Sequence, residues 1–320
     1  MGRAASRSGP AAEPFLKWAG GKRQLLPALR RHYPDAFVTY FEPFLGSGAV
    51  FFDLLRHGTL EGRPSVLSDT SVDVIGCCRA LRDRPEAVIA HLRELEDGHA
   101  RGGVAHYYDV RDRRFNPLRA ALDPRGGGAG MVEAYTPALA AMLIYLNRTG
   151  FNGLFRLNSR GEFNVPAGRY LNPSICDDAN LRRVASALAH RADLRADSFE
   201  SALERAGPGD FVYLDPPYAP LSATARFTSY TAGGFGDAEH VRLQQVVVAL
   251  ARRGCAVLLS NSTAPLVRSL YDRNAEARAA GLRAHLVPAR RAINCLPGAR
   301  GQVFEYLITN VAARRPARCR

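Results

Sequence analysis

A short apolar run that ends in two consecutive prolines constrains the fold of this chain most strongly. Residues 211–214 read Phe-Val-Tyr-Leu, an aromatic and β-branched run that is typical of a buried strand in an α/β sheet. Asp215, Pro216, Pro217 and Tyr218 follow; the prolines end the strand, and Pro216 keeps Asp215 extended. We therefore expect a carboxylate, a rigid turn and an aromatic ring at the carboxyl end of a strand, where open α/β sheets bind ligands.

The composition of this turn suits an exocyclic amine on a flat ring. Such an amine is a poor nucleophile because its lone pair is delocalised into the ring. If Asp215 accepts one N–H and the carbonyl of Pro216 accepts the other, the nitrogen becomes tetrahedral and its lone pair can face an electrophile. Tyr218 offers a face on which the ring can stack. The alternative for the turn alone is an ordinary strand end, so other segments must distinguish the two.

A strand–loop–helix segment near the N-terminus has the arrangement of a nucleotide-binding site. Residues 37–41 predict a strand, a G-x-G loop formed by Gly46 and Gly48 follows Glu42, and an apolar helix begins at residue 49. The loop lacks the lysine and Ser/Thr of a phosphate-binding loop, so a nucleoside-type ligand suits it better. Asp69 ends the next predicted strand about twenty residues after Gly48, the usual distance for an acid that binds ribose hydroxyls; the alternative is a helix N-cap.

The other segments predict a doubly wound α/β sheet that is interrupted by a mainly helical, basic insert. Further strands are expected at 255–259, 282–287 and 303–309, and helices at 85–96, 138–146 and 236–252. Residues 194–199 are expected to end the insert and rejoin the sheet, as in a strand-to-helix junction. The predicted division is a flexible leader (1–13), a sheet domain (14–75 and 193–313), the insert (76–192) and a basic tail (314–320). A glycine-rich stretch at 123–130 predicts a mobile loop within the insert.

Charge and composition favour a nucleic-acid partner. The formal net charge is +13, which suits a polyanion, although a general bias towards arginine is the alternative. Residues 147–170, here called the 147–170 loop, interleave Arg, Asn, Gly and Phe. Arginine and asparagine can bind guanine and adenine edges bidentately, and phenylalanine can wedge into a base step. The loop therefore predicts DNA recognition, with a solvated β-hairpin as the alternative.

Cysteine usage and hydropathy indicate a cytoplasmic protein with reduced thiols. The six cysteines form no C-x-x-C pair and no Cys/His metal spacing, so we expect no metal site. No apolar stretch approaches the ~18 residues needed to span a bilayer, and the longest, around 139–146, is short and predicted to be amphipathic. No segment indicates an obligate protein partner, so a monomer is expected.

These segments together resemble the Dam-type (α-class, D12 class) DNA adenine-N6 methyltransferases. The matching segments are FLKWAGGK (15–22), FEPFLGSGAVF (41–51), NRTGFNGLFRLNSRGEFNVPAGRY (147–170) and DPPYAPLSATARFTSY (215–230), with looser matches at SNST (260–263) and RRAIN (290–294). They occur in the family's order and cover residues 14–310. Departures are Phe151, where a tyrosine is common, and Thr70-Ser71 in place of Ile-Asn.

The resemblance implies S-adenosylmethionine as methyl donor and double-stranded DNA as substrate, with the target adenine within GATC-type sites. It places donor binding at Trp18, Lys22, Glu42, Phe44, Gly46, Gly48, Asp69, Asp197 and Asp215. It places DNA contacts at Lys17, Phe151, Asn152, Leu154, Arg156 and Pro166. Asp197 could accept from the adenine amine of the donor while Phe199 packs on its ring. The implied mechanism is direct transfer to a flipped adenine held by the Asp215–Tyr218 turn, without a covalent enzyme intermediate.

Three other functions stay open on the sequence. Methylation of cytosine N4 uses a similar turn, and methylation of RNA or of a protein glutamine amide uses Asn in place of the Asp. A catalytically silent DNA-binding protein is the third. The sequence leaves open whether the enzyme acts alone or within a restriction–modification pair.

Overall fold

The computed structural model describes residues 11–18, 20–122, 130–190, 192–221, 235–289 and 303–314. Several segments interpreted above lie outside the described residues: most of the leader (1–10) and of the tail (315–320), the glycine-rich stretch at 123–129, residues 222–230 and the basic loop at 290–294.

In the described part of the chain, seven strands form one sheet. They are β1 (Tyr40–Glu42), β2 (Ser65–Ser68), β3 (Ala192–Arg195), β4 (Phe211–Leu214), β5 (Ala256–Ser262), β6 (Arg283–Ala289) and β7 (Val303–Thr309). Their spatial order is β3-β2-β1-β4-β5-β7-β6. The first five strands are parallel, and β7 pairs antiparallel with both β5 and β6. The carboxyl ends of β2, β1, β4 and β5 therefore meet at one edge.

Helices connect and cover these strands. They are α1 (Leu26–Leu29), α2 (Ala49–Arg56), α3 (Val72–Asp83), α4 (Pro85–Asp109), α5 (Asn116–Ala121), α6 (Pro137–Thr149), α7 (Asp178–Ala189), α8 (Phe199–Arg205), α9 (Asp237–Arg252), α10 (Pro265–Val267) and α11 (Ala275–Ala279). A π-helical turn, Val110–Phe115, joins α4 to α5.

Side chains along β4 show that the sheet is buried on both faces. Phe211 and Tyr213 belong to one hydrophobic cluster, here called the insert-side cluster, which continues into α3, α4, α6 and α7. Val212 and Leu214 belong to a second cluster that is formed with α9 and α11. Successive residues of a strand point to opposite faces, so helices cover both sides of the sheet. The predicted doubly wound α/β fold is confirmed.

Strand and helix bounds differ from prediction where tertiary pairing intervenes. The end of β5 was predicted at residue 259, but β5 continues to Ser262 because Ser260, Asn261 and Ser262 pair with β7. Residues 194–199 are a strand-to-helix junction, since β3 ends at Arg195 and α8 begins at Phe199. Helix α4 was predicted to end at residue 96, but it continues to Asp109 across a kink at Gly103, where φ is +50°.

Helix α6 is buried rather than amphipathic. Residues 139–147 of this helix are all buried, since α3 and α4 pack around it. A helix that is apolar all round occupies the interior of a fold. Among the described residues, none of the helices combines the length and hydropathy that crossing a membrane requires.

The proposed division at residues 75 and 76 falls within α3. The insert-side cluster runs without interruption from Leu67 of β2 to Leu143 of α6. The division into a sheet domain and an insert stays a prediction.

Candidate functional site

Three acidic side chains meet at the carboxyl edge of the sheet. Glu42 is the last residue of β1, Asp69 follows β2, and Asp215 follows β4. Burial raises the pKa of all three carboxyls, and the nearby charges of Asp215 and Asp69 raise that of Glu42 further. The edge is therefore a desolvated acidic site, suited to a ligand that carries positive charge.

Asp215 is held through one of its two oxygens. The Lys22 ammonium lies 2.7 Å from Oδ1, and the Ser260 hydroxyl donates to the same oxygen at 3.0 Å. Burial raises the pKa of Asp215, and these two contacts oppose the increase. Lys22, whose side chain is 7% exposed, also donates to the carbonyl of Gly20 at 2.8 Å. Lys22 was predicted on the donor side, and it also contacts the predicted catalytic turn.

Tyr218 and the residue after it are fixed by the neighbouring strands. The Lys22 Nζ lies 4.5 Å from the centroid of the Tyr218 ring, in a cation–π arrangement. The Tyr218 hydroxyl donates to Glu305 Oε2 at 2.7 Å. The backbone N–H of Ala219 donates to Asn261 Oδ1 at 3.2 Å, so the end of the double-proline turn is tied to β5.

The glycine loop holds Asp69 through backbone donors. The N–H groups of Gly46 and Ser71 donate to its two carboxylate oxygens, each at 2.9 Å. Gly46 and Gly48 have φ of +48° and +67°, a region that favours glycine. The N-cap of α3 is Ser71, whose side chain accepts from the backbone N–H of Val74, so Asp69 is not a helix cap.

Trp18 lies between the glycine loop and the 147–170 loop. Its indole stacks on Phe155, with ring centroids 5.8 Å apart and an interplanar angle of 18°. Its other neighbour is Gly46, where an added Cβ would lie 2.8 Å from the Trp18 Cδ1 atom. The absence of a side chain at position 46 is therefore what admits the indole.

Replacing Gly46 with alanine is expected to displace the indole. The change adds a clash to the cost of a left-handed φ, so we expect a loss of about 1–3 kcal/mol in unfolding free energy beyond the backbone cost. Because Trp18 is the only tryptophan in the chain, its emission should shift as well. Gly58→Ala is the matched control, since Gly58 has φ +67° with no atom within 4 Å of an added Cβ. Equal effects of the two variants on stability and emission would contradict the packing role.

Glu42 is the most buried of the three acids. It is 2% exposed, and its Oε2 accepts from the Tyr40 hydroxyl at 2.8 Å and from the Phe51 N–H at 3.1 Å. Burial raises the pKa of Glu42 to about 8, although the Tyr40 hydrogen bond opposes the increase.

This shift predicts a pH dependence of stability. The folded protein holds the Glu42 proton more tightly than the unfolded chain does. The stability that Glu42 adds is therefore fully present below its ordinary pKa of 4.5 and is lost as the pH rises through about 8. Between about pH 5 and about pH 8, the unfolding free energy of Glu42→Gln should therefore fall less than that of the wild type. Chemical denaturation across this range measures the difference, and parallel curves would refute the assignment.

An aromatic group lies beside the same edge. Phe44 stacks on Phe199, with centroids 5.6 Å apart, and meets the edge of Phe235 at 5.7 Å. Asp197 precedes Phe199 by two residues and is partly exposed. Phe199 itself is 6% exposed, and its ring packs on Phe44.

The 147–170 loop is an irregular hairpin that presents the predicted DNA-contacting residues. Gly150 pairs with Ala167, and the N–H of Phe151 donates to the carbonyl of Pro166 at 2.9 Å. Phe151 is 46% exposed, and Asn152 takes the left-handed region at φ +54°. The fold therefore gathers Phe151, Asn152 and Pro166 at one end of the hairpin.

The other two predicted residues of the loop differ in exposure. Arg156 is exposed and donates to Asn164 Oδ1 at 2.7 Å. Leu154 is partly buried and packs against the insert-side cluster.

Lys17 reaches this hairpin through Asn147, which sequence analysis did not single out. Asn147 is 1% exposed; its Oδ1 accepts from the Lys17 N–H, and its Nδ2 donates to the carbonyls of Lys17 and Gly153. The Lys17 ammonium lies 4.3 Å from the centroid of the Tyr170 ring. Asn147 follows a long apolar run in α6, and a polar side chain at that position is the signal that could have identified it.

Helix α5 anchors the far end of the hairpin, and this contact was also missed. Asn116 accepts from the N–H of Phe163 and donates to its carbonyl, as a neighbouring strand would. Arg119 donates to the carbonyl of Gly161 at 2.6 Å and pairs with Asp73, which is 1% exposed. Asp73 lies in the first turn of α3, so Arg119 connects the hairpin to the helix that follows the Asp69 loop.

Within the described ranges, the structure contains no group of three or more His, Cys, Asp or Glu side chains that could hold a metal ion.

Comparison with known proteins gives a consistent result across the chain. The family model for D12 class N6 adenine-specific DNA methyltransferases matches residues 18–285. The type II methyltransferase M1.LlaDCHI of Lactococcus lactis subsp. cremoris is 38% identical over 299 residues, 93% of this chain and 95% of that protein. The type II methyltransferase M.MjaIII of Methanocaldococcus jannaschii is 36% identical, over 93% of this chain and 99% of that protein. The DNA adenine methylase of Escherichia coli (strain K12) is 36% identical, over 92% of this chain and 93% of that protein. The chain therefore belongs to the D12 class of N6 adenine-specific DNA methyltransferases, as its motifs predicted.

Proposed function

We propose that this enzyme transfers a methyl group from S-adenosylmethionine to the N6 amine of a flipped adenine within GATC in double-stranded DNA. The observation that carries the proposal is the Asp215–Tyr218 turn at the same sheet edge as the glycine loop and Asp69. One N-terminal segment reaches both, since Lys22 contacts the turn and Trp18 contacts Gly46. Family membership supplies the adenine and the DNA; the donor, the flipping and the recognition sequence are the proposed refinements.

The residues at the edge fit the donor. S-adenosylmethionine, when bound, supplies a methyl group on a cationic sulfonium, and the edge offers it the carboxyls of Glu42, which is buried, and of Asp69 and Asp215, which are partly exposed. Asp69 is assigned to the ribose hydroxyls, because backbone N–H groups fix its orientation. The backbone at Gly46 and Gly48 allows close approach. Trp18, Lys22, Glu42, Phe44 and Asp197 are assigned to the remaining donor contacts.

Asp215 is assigned the task of orienting the target amine. Lys22 and Ser260 both contact Oδ1, so we assign Oδ2 to one N–H of the amine and the carbonyl of Pro216 to the other. Pro217 stiffens the turn, and Tyr218 stacks on the base. This arrangement contributes orientation and charge stabilisation, which are the large terms in such a transfer.

The proposed step balances without a covalent enzyme intermediate. The amine nitrogen forms a bond to the methyl carbon while the electron pair of the C–S bond goes to sulfur. The nitrogen becomes positively charged and then releases one proton, for which Oδ2 of Asp215 is the nearest assigned acceptor.

DNA recognition is assigned to the insert (76–192) together with Lys17. Phe151 is exposed at the end of the hairpin and suits a wedge in the base stack, which lowers the cost of flipping. Asn152, Leu154, Arg156 and Pro166 lie on the same hairpin and are assigned to contacts with the GATC site. A monomer in the cytoplasm, acting without an obligate protein partner, is the proposed working form.

Long-read sequencing of DNA from a methylation-free host that expresses the chain tests the proposal. The expected result is N6-methyladenine at GATC. Unmodified GATC beside another methylated motif would refute the recognition sequence and leave the chemistry standing. N4-methylcytosine, or DNA without any modification, would refute the chemistry.

A further inference from the structure

We infer that Glu305 is a positioning residue for Tyr218, fixing the ring on which the target base stacks and increasing its electron density. The inference rests on the proposed function, because it assigns a role to the stacking ring of that site. Neither the motifs of the sequence nor the family resemblance singles out Glu305.

The contact between the two side chains is short and well supported. The Tyr218 hydroxyl donates to Glu305 Oε2 at 2.7 Å, a distance typical of a hydrogen bond to a carboxylate. Glu305 lies on β7, where its Cα pairs with that of Ser262 on β5. The Ser262 hydroxyl donates to the carbonyl of Ala219 at 2.6 Å. Two residues that face each other across β5 and β7 therefore hold Tyr218 and the residue after it.

These contacts restrict how the ring can be presented. The backbone holds one end of the Tyr218 side chain, and the hydrogen bond to Glu305 holds the other. The Lys22 ammonium lies 4.5 Å from the ring centroid and occupies one face. A flat base must stack on a ring whose position is already set, and this reduces the ordering that the reactive geometry would otherwise require.

The charge of Glu305 gives the contact a second effect. A hydroxyl that donates to a carboxylate carries a more polarised O–H bond, and the ring then attracts cations more strongly. The ring already faces one cation, Lys22. In the proposed reaction the amine nitrogen gains positive charge only as the methyl group arrives. An electron-rich ring beside it therefore stabilises the transition state more than the bound substrate.

Substitutions at position 305 distinguish the effect of the carboxylate charge from that of the hydrogen-bond acceptor. Glu305→Gln keeps an acceptor for the hydroxyl and removes the charge, whereas Glu305→Leu removes both. Tyr218→Phe removes the donor and keeps the ring. The double variant Tyr218→Phe/Glu305→Gln completes a cycle that isolates the pair.

Single-turnover methyl transfer to a duplex with one adenine target measures the effect. We expect Glu305→Gln to slow the transfer about fivefold, because the ring loses electron density that stabilises the charge developing on the amine nitrogen. Glu305→Leu should be slower still, while the dissociation constants for DNA and donor change less than about twofold. In the Tyr218→Phe background, Glu305→Gln should have no further effect on the rate.

The outcomes are distinguishable. A rate for Glu305→Gln equal to that of the wild type, or the same slowing with and without the Tyr218 hydroxyl, would overturn the inference. A wild-type protein that methylates no adenine would instead refute the proposed function. Thermal unfolding of the wild type and the four variants serves as the folding control, and a rate loss that only tracks reduced stability counts against the positioning role.

Discussion

Asp215→Ala is expected to reduce the rate of methyl transfer about a thousandfold, because the target amine loses the carboxylate that orients it and stabilises its developing charge. Single-turnover transfer of a radiolabelled methyl group measures the rate. DNA and donor affinities should survive, since the other assigned contacts remain. A variant that retains more than about a tenth of the wild-type rate would contradict the assignment.

Asp215→Asn is the matched variant, and the structure gives it a definite expectation. Lys22 and Ser260 both donate to Oδ1, so an asparagine turns its carbonyl oxygen towards them. Its NH2 group then faces the target amine, and two donors oppose each other. Asp215→Asn should therefore be as slow as Asp215→Ala. The double variant Lys22→Met/Asp215→Ala controls for the ammonium that Asp215→Ala leaves buried.

Arg119→Met is expected to lower the free energy of unfolding by about 3–5 kcal/mol, because it leaves the Asp73 carboxylate buried without its partner. Asp73 is 1% exposed, and the Tyr135 hydroxyl also donates to it at 3.3 Å, so the carboxylate is shielded from the water that would otherwise replace the guanidinium. The double variant Asp73→Asn/Arg119→Met removes the charge and should recover most of the loss. Urea unfolding measures both variants.

A loss of the same size in the double variant would show that the Gly161 contact, rather than the ion pair, carries the stability. Arg119→Met also removes the hydrogen bond to the carbonyl of Gly161. The double variant should therefore keep a stable fold while the far end of its hairpin loses one of its two anchors on α5, and weaker discrimination between GATC and altered sites is the expected consequence for DNA.

The elements that sequence analysis predicted well are those that short-range patterns determine. Strand β4 has its predicted bounds, Phe211–Leu214, because Pro216 and Pro217 prevent it from continuing. The strand–glycine–helix segment and Asp69 were recognisable because the backbone there needs left-handed φ at Gly46 and Gly48. The placement of these groups at one sheet edge follows from parallel pairing, so the acidic site could be predicted as well.

Contacts between distant parts of the chain could not be predicted from patterns. Lys22 lies far from Asp215 in sequence, and Tyr218 lies far from Glu305, so neither pair leaves a local signal. The same holds for Asp73 and Arg119. Such pairs are set by how helices and strands pack, and single positions in one sequence do not record that packing.

The predicted end of β5 and the predicted amphipathic character of α6 were wrong for a related reason. Strand β5 extends to Ser262 because β7 lies beside it and supplies backbone partners. Helix α6 looked amphipathic from its residues, yet the helices around it bury its whole circumference. In both cases the neighbouring element, rather than the segment itself, decides the outcome.

The insert-side cluster has a consequence for the engineering of new specificities. It joins Leu67 of β2, Ile75 of α3, Leu143 of α6 and Leu188 of α7 in one close-packed interior. A chimera that exchanged residues 76–192 with a relative would replace half of that interior and would have to match the volumes across the junction. The hairpin from Gly150 to Gly168 contributes only Phe163 and Val165 to the fully buried part of that interior, and polar contacts from Asn147, Asn116 and Arg119 hold it as well. Grafts confined to this hairpin, with those three anchors and the two buried side chains retained, are the smallest units by which sequence preference can be transferred.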